Sequence, residues 1–342
     1  MWHTLGTVAG AGTTLHHVRI LAALAALFGV VPSLAAPAAV GPRDTQTVIE
    51  SIVPALPDDV SLDVLGFDSY LRLRAPGREV QVPGYENEPY MRIDRDGSVW
   101  FNEGSRTWAL NTDRYGRVDL SSFMATETPV WVRDRTDGTA LWHDHRVHWM
   151  STAEPSVLDE QGTIQDFVFA LDIDGSTHTV TGALYLRDRA SIAWWATGLV
   201  ATLVFVAFAV VRRRAFTWTA PVVGTVAAVA GGLQWIGTEP GARVVPLLGA
   251  FGALAAVVGA VGLVVGRSRT ARASLMSAAL NAGSGATLVL VAVLTADYVR
   301  SAYVPGLAWE WVARALVPVV LAAGVVATID GVARVVRGDV RV

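Results

Sequence analysis

The feature that most constrains this chain is the run Ile192–Val211, closed by Arg212, Arg213 and Arg214. About 20 residues there carry no charge, enough to cross a hydrocarbon core of about 30 Å at about 1.5 Å per residue. Trp194 and Trp195 suit one membrane interface, and the three arginines mark the other as cytoplasmic. The run therefore predicts a division, with a polar globe before it and an apolar bundle that begins with it.

Charge follows the same division. Residues 36–189 hold 25 acidic residues against 14 arginines, a net of −11; residues 190–342 hold 12 arginines against 5 acidic residues, a net of +7. An acidic globe repels nucleic acid and favours cations or basic partners. The basic excess of the second half belongs to membrane topology. Cysteine is absent, so a globe outside the cytoplasm is held by its core alone, for which about 150 residues suffice.

Ahead of the globe, Arg19 precedes the apolar run Ile20–Val31, and Pro32-Ser33-Leu34-Ala35-Ala36 offers small residues at the spacing a signal peptidase accepts. Residues 1–36 read as a cleaved signal peptide, and Pro37–Pro57 as a leader into the globe. Four more spans are expected after the first: Trp218–Ile236, Val244–Val265, Ala273–Ala296 and Val312–Ile329. Nine arginines fall on one side of these spans; Arg243, Arg300 and Arg314 fall on the other. That bias predicts a multi-pass plasma-membrane protein with its large domain extracytoplasmic and its C-terminus cytoplasmic. Gly262, Gly266 and the run Asn281–Gly285 supply small residues that let helices approach closely.

Within residues 37–189 the pattern is one of short alternating runs. Val60–Leu65, Tyr70–Arg74, Glu79–Val82, Tyr90–Ile93, Ser98–Phe101, Asp166–Asp172 and Thr177–Arg187 read as strands. Asp94–Gly97, Asp134–Gly138 and Asp172–Gly175 carry hairpin-turn chemistry, because glycine takes a positive φ cheaply. Eight or nine strands with no strong helix predict a β-sandwich of immunoglobulin-like kind, followed by an all-α bundle of five transmembrane helices at 190–342.

The densest chemistry lies in Trp142-His143-Asp144-His145-Arg146-Val147-His148-Trp149-Met150. Neutral imidazole is the commonest metal ligand, and copper and zinc both suit it. On a strand, His143 and His145 point one way and His148 the other, so three ligands on one ion require a bulge or turn. Met150 would follow after a bend, His178 on the inward face of a later strand would add a ligand, and Asp144 would orient a ring through its second nitrogen. Met91 and Met124 are further thioethers. The competing reading of this segment is a packed polar network or a partner-recognition surface. Asn111–Gly116 reads as a turn, with Arg114 paired to a carboxylate. Glu239, Asp297 and Glu310 would form a shallow acidic mouth, and Gln234 and Asn281 are the conspicuous polar groups within spans. No cysteine nucleophile, Gly-x-Ser-x-Gly elbow, phosphate loop or His-Glu-x-x-His is present, which leaves no residue to name in a catalytic role without excluding a metal oxidase or a cofactor-free enzyme.

Through Glu88-Pro89-Tyr90, Asn111–Arg114 and Trp142–Met150, the chain resembles uncharacterised actinobacterial membrane proteins. These pair an extracytoplasmic β-domain bearing a similar W-H-D-H-R-x-H-W-M string with a C-terminal bundle. In architecture it is also similar to copper-handling proteins that join a CopC-like sandwich to a CopD-like membrane domain. The CopC-type N-terminal histidine is missing here, and five spans are fewer than CopD-like proteins have. The second resemblance implies copper. The expectation is an envelope protein whose globe binds a transition metal, copper before zinc, at His143, His145, His148, His178 and Met150. The alternatives are a metal-free envelope protein that binds a protein partner, and a small-solute or ion transporter lined by Asn281 and Gln234.

Overall fold

The computed structural model describes residues 40–120, 128–243, 245–268, 270–306 and 310–338. The expected signal peptide and Met124 lie outside these. The strands are β1 Thr45–Val53, β2 Ser61–Leu65, β3 Tyr70–Arg74, β4 Val80–Pro83, β5 Pro89–Ile93 and β6 Val99–Asn102. After helix α1, Arg106–Asn111, come β7 Trp131–Arg135, β8 Thr139–Trp142, β9 Thr163–Ile173 and β10 Ser176–Leu186.

They form two antiparallel sheets: seven strands in the order β1-β10-β9-β4-β5-β6-β7, and three in the order β2-β3-β8. An immunoglobulin-type sandwich divides its strands roughly four and three; what holds here is the coarser description of two antiparallel sheets around one core. Leu71, Leu73, Ala140 and Trp142 of the small sheet pack with Val80, Val82, Met91, Ile93, Leu171 and Val180 of the large one. Burying each large aliphatic side chain contributes about 1.5–3 kcal/mol. Met91 is a core residue here, 1% exposed, and serves no site.

Asp174 and Gly175, both at positive φ, make the two-residue turn joining β9 to β10, as the Asp-Gly pattern predicts. The Asp137-Gly138 turn differs. β7 pairs with β6 in the large sheet, whereas β8 pairs with β3 in the small one, so this turn changes sheets and closes no hairpin. The leader reading also gives way. Residues 45–53 form an edge strand paired along β10 from Thr45↔Leu186 to Val53↔Thr179.

Among the described residues, five helices are long and apolar enough to cross a membrane: Ile192–Val211, Arg213–Gly237, Leu247–Val265, Ala271–Leu294 and Glu310–Arg337. Their regular α-helical parts are α2 Trp195–Val211, α3 Thr219–Gly237, α4 Leu247–Val265, α5 Ala271–Leu294 and α6 Glu310–Arg337. α2 leaves Leu199, Val200, Leu203, Val204, Val210 and Val211 exposed; a lipid bilayer is the solvent such a face suits. Close approach depends on glycine. A Cβ on Gly231 would lie 2.1 Å from the Gly249 backbone nitrogen, and one on Gly285 would lie 2.7 Å from the Gly324 carbonyl oxygen. Asn281 donates to the Ala327 carbonyl at 3.3 Å and Gln234 to Pro305 at 2.8 Å. Both amides therefore tie elements together. A cavity of about 60 Å³ lies beside Gln234 and Glu310, walled mainly by apolar side chains.

The globe rests on the connecting loops at one end of the bundle. Arg43 and Tyr303 exchange backbone hydrogen bonds at 3.2 and 2.9 Å. Phe67 stacks on Tyr303 at 4.6 Å, and the Asp44 carboxylate accepts from the Ala302 N–H at 2.9 Å. The expected acidic mouth is spent on arginine: Glu239 pairs with Arg72 at 3.2 Å and Glu310 with Arg314 at 2.7 Å.

Candidate metal centre

β8 delivers the chain to the site and then stops. After Trp142 the backbone turns, the Val147 N–H donating to the Asp144 carbonyl at 3.2 Å. Local charge holds the turn. The Asp144 carboxylate accepts from the Arg146 guanidinium at 2.7 and 2.9 Å, the Arg146 N–H at 3.0 Å and the Trp142 indole at 3.0 Å. Burial opposes ionisation of Asp144, but Arg146 outweighs it and holds the carboxyl below its usual range. From the other side, the Thr47 hydroxyl donates to the Val147 carbonyl.

This turn supplies the reversal that strict alternation lacks. His143, His145 and His148 are all buried, and one ring nitrogen from each lies within 4.8 Å of the others. The His143 and His148 rings are 4.0 Å apart between centroids, and His145 meets them edge-on at 5.4 and 5.0 Å.

Backbone carbonyls fix all three rings. His143 Nδ1 faces the Ser69 carbonyl at 2.7 Å, His148 Nδ1 the Trp149 carbonyl at 2.9 Å, and His145 Nε2 the Asp113 carbonyl at 2.9 Å. A carbonyl only accepts, so each of these nitrogens carries the proton. The lone pairs then belong to Nε2 of His143, Nδ1 of His145 and Nε2 of His148. Nε2 of His143 and of His148 are buried with no hydrogen-bond partner. An unsatisfied buried polar atom costs about 1–3 kcal/mol.

Electrostatics favours the neutral form. Burial pushes His143 down to about 4, with the Arg114 charge adding to the effect. His145 and His148 are lowered for the same reasons, burial first. Two ligands at about 2.1 Å from one ion lie at most about 4.2 Å apart. Three ligands arranged trigonally or tetrahedrally lie about 3.4–3.6 Å apart, so separations of up to 4.8 Å close by as much as about 1.3 Å to hold one ion.

The ring-orienting role expected of Asp144 falls to carbonyl oxygens, because Asp144 is occupied by Arg146 and Trp142. Met150 is at the site's edge: a Cβ on Gly116 would lie 3.0 Å from Met150 Cε and 3.2 Å from His145 Cε1. His178 lies elsewhere. Its Nδ1 faces the Pro54 carbonyl at 2.9 Å, and it sits six residues along β10 from Leu184, which pairs with Thr47. At about 3.4 Å per residue, that is about 20 Å along the strand from Leu184, and His178 is not among the three converging histidines.

The turn Asn111–Gly116 is as expected, with Arg114 holding both Asp68 oxygens at 2.9 Å. Its place as the wall behind His145 was not foreseen, and nor was Tyr85. The Tyr85 hydroxyl accepts from the His145 N–H at 2.8 Å and donates to Asn111, while its ring stacks on His145 at 6.2 Å. Of these, only Gly116, at φ +62 and three residues after the turn-forming Asp113, leaves a trace in the sequence. No family model, curated protein or solved structure matches this chain.

Proposed function

We propose that this is an integral membrane protein of the cell envelope whose globe binds one transition-metal ion, copper before zinc, through His143 Nε2, His145 Nδ1 and His148 Nε2. One observation carries the reading: three buried imidazoles converge, one nitrogen of each ring is held by a carbonyl, and Nε2 of His143 and of His148 is left unpartnered. A second shell of this kind sets ring orientation and tautomer in metal sites. The arginine bias places the globe outside and the C-terminus inside, an arrangement that protease access to a carboxyl-terminal tag tests.

The tautomers dictate the variants. Asparagine mimics Nδ1 and glutamine mimics Nε2, so His143→Asn, His148→Asn and His145→Gln keep each carbonyl bond and delete the ligand atom. Full-length protein in detergent is expected to carry about one copper or zinc per chain by elemental analysis, lost in His143→Asn/His148→Asn with the fold retained. A chain that stays metal-free, with a melting temperature unmoved by added copper or zinc, overturns the reading in favour of a metal-free envelope protein.

A further inference from the structure

The donors available at the metal centre carry no negative charge. Asp144 is held by Arg146 and Trp142. Asp113 offers its carbonyl to His145, while its carboxylate accepts from the N–H groups of Tyr115 and Arg117 at 2.9 and 3.0 Å. Asp68 is fully buried beneath Arg43, Arg114 and Thr45. An ion bound by the three imidazoles therefore keeps its whole charge.

One neighbouring side chain, Arg114, adds positive charge. Arg114 belongs to the turn that supports His145, between Asp113, which accepts from that ring, and Gly116, which abuts it. Its guanidinium reaches Asp68, the neighbour of Ser69, whose carbonyl accepts from His143. The cation thus spans the supports of two of the three rings. Asp68 is shared between Arg43 and Arg114, so it offsets the Arg114 charge only in part. In a buried site each added unit of charge on the ion meets that repulsion again.

The remaining neighbour is soft. A Cβ at Gly116 would stand 3.0 Å from Met150 Cε and 3.5 Å from His145 Nδ1, so the thioether methyl and a ligand nitrogen border one gap. Imidazole and thioether are neutral donors, and thioether in particular suits cuprous copper.

The geometry points to a centre selective for monovalent copper, with Met150 closing a shell of three imidazoles and one thioether and Arg114 disfavouring divalent ions. This rests on the metal reading above. It is tested on the full chain in detergent, under anaerobic conditions, by competition of copper(I) against a chromogenic copper(I) chelator and of zinc(II) against a zinc chelator. Arg114→Met, which removes the charge but keeps the bulk, is expected to raise zinc(II) affinity about 10-fold or more and copper(I) affinity by clearly less, as the doubled charge requires. Arg114→Lys is expected to restore the original preference. Met150→Leu is expected to weaken copper(I) about 10-fold and leave zinc(II) unchanged.

Should Arg114→Met fail to fold, silver(I), a redox-inert monovalent probe, decides the matter on the unsubstituted chain: it is expected to displace zinc(II) at stoichiometric amounts. Zinc(II) that resists silver(I), or equal responses of both metals to Arg114→Met, overturns this inference and leaves the metal reading standing. Failure to bind either metal overturns both.

Discussion

Acid should loosen the metal-free globe well above the pH at which its carboxylates titrate. His143 is held neutral at about 4 by burial, against about 6.5 in an unfolded chain. Between those values the unfolded state binds a proton that the folded state refuses. Stability therefore rises with pH across this window and is lost as pH falls from about 6.5 to about 4. At about 1.4 kcal/mol per unit, His143 alone accounts for about 3 kcal/mol, or a factor of a few hundred in the opening equilibrium. His145 and His148, also lowered, add with the same sign. Asp68 and Asp144 are lowered from 3.8, so their contribution stays intact until the pH is lower still. The assay is amide hydrogen exchange of β3 and β8 in chelator-treated full-length protein, corrected for intrinsic exchange rates. Protection is expected to fall steeply between pH 6.5 and 4.5, and His143→Asn, which keeps the bond to Ser69, is expected to shed up to about tenfold per pH unit of that slope. Flat protection across the window, or an unchanged slope in His143→Asn, would refute the burial argument.

Gly116→Asn places a side chain that tolerates positive φ into the gap beside His145. Metal binding by elemental analysis should fall sharply while far-UV circular dichroism stays unchanged; full metal content would show that the gap is not part of the site. A protease site and tag after Arg337 should be cut only in permeabilised cells, and cutting on intact cells would reverse the proposed sidedness.

The long apolar helices were legible because lipid imposes one crude demand, about 20 apolar residues, and the described residues meet it five times. Strands marked by alternation and Asp-Gly turns were legible too. β1 was not, since it lies between prolines, its register is broken by a bulge between Ile49 and Ser51, and its partner is more than 120 residues away. α1 was missed because it is only 6 residues long, too short for a helical period to show, although its Ser105 cap, which accepts from the N–H groups of Thr107 and Trp108, is a local signal. The histidines were visible as a cluster, but their convergence depends on a turn held by the Asp144–Arg146 pair. Strand extrapolation cannot see such a turn, although an aspartate two residues before an arginine is a local signal. The carbonyl of Ser69, 74 residues from His143, leaves no signal at all.

The hairpin that orients His143 also seats the globe on the bundle. Ser69 accepts from the ring, Asp68 holds Arg43, and Arg43 pairs its backbone with Tyr303. Phe67, in the same hairpin, adopts φ +67, a conformation that costs a bulky residue about 1–3 kcal/mol. Stacking on Tyr303 at 4.6 Å is one contact that offsets this cost. A globe cut away at Arg189 would lose Tyr303 and with it the restraint on Gly66–Tyr70, the turn that contains Ser69 and so the support of His143. The three rings and the carbonyls that hold them all belong to the acidic half, yet the hairpin that carries one of those carbonyls is braced by Tyr303 of the apolar half.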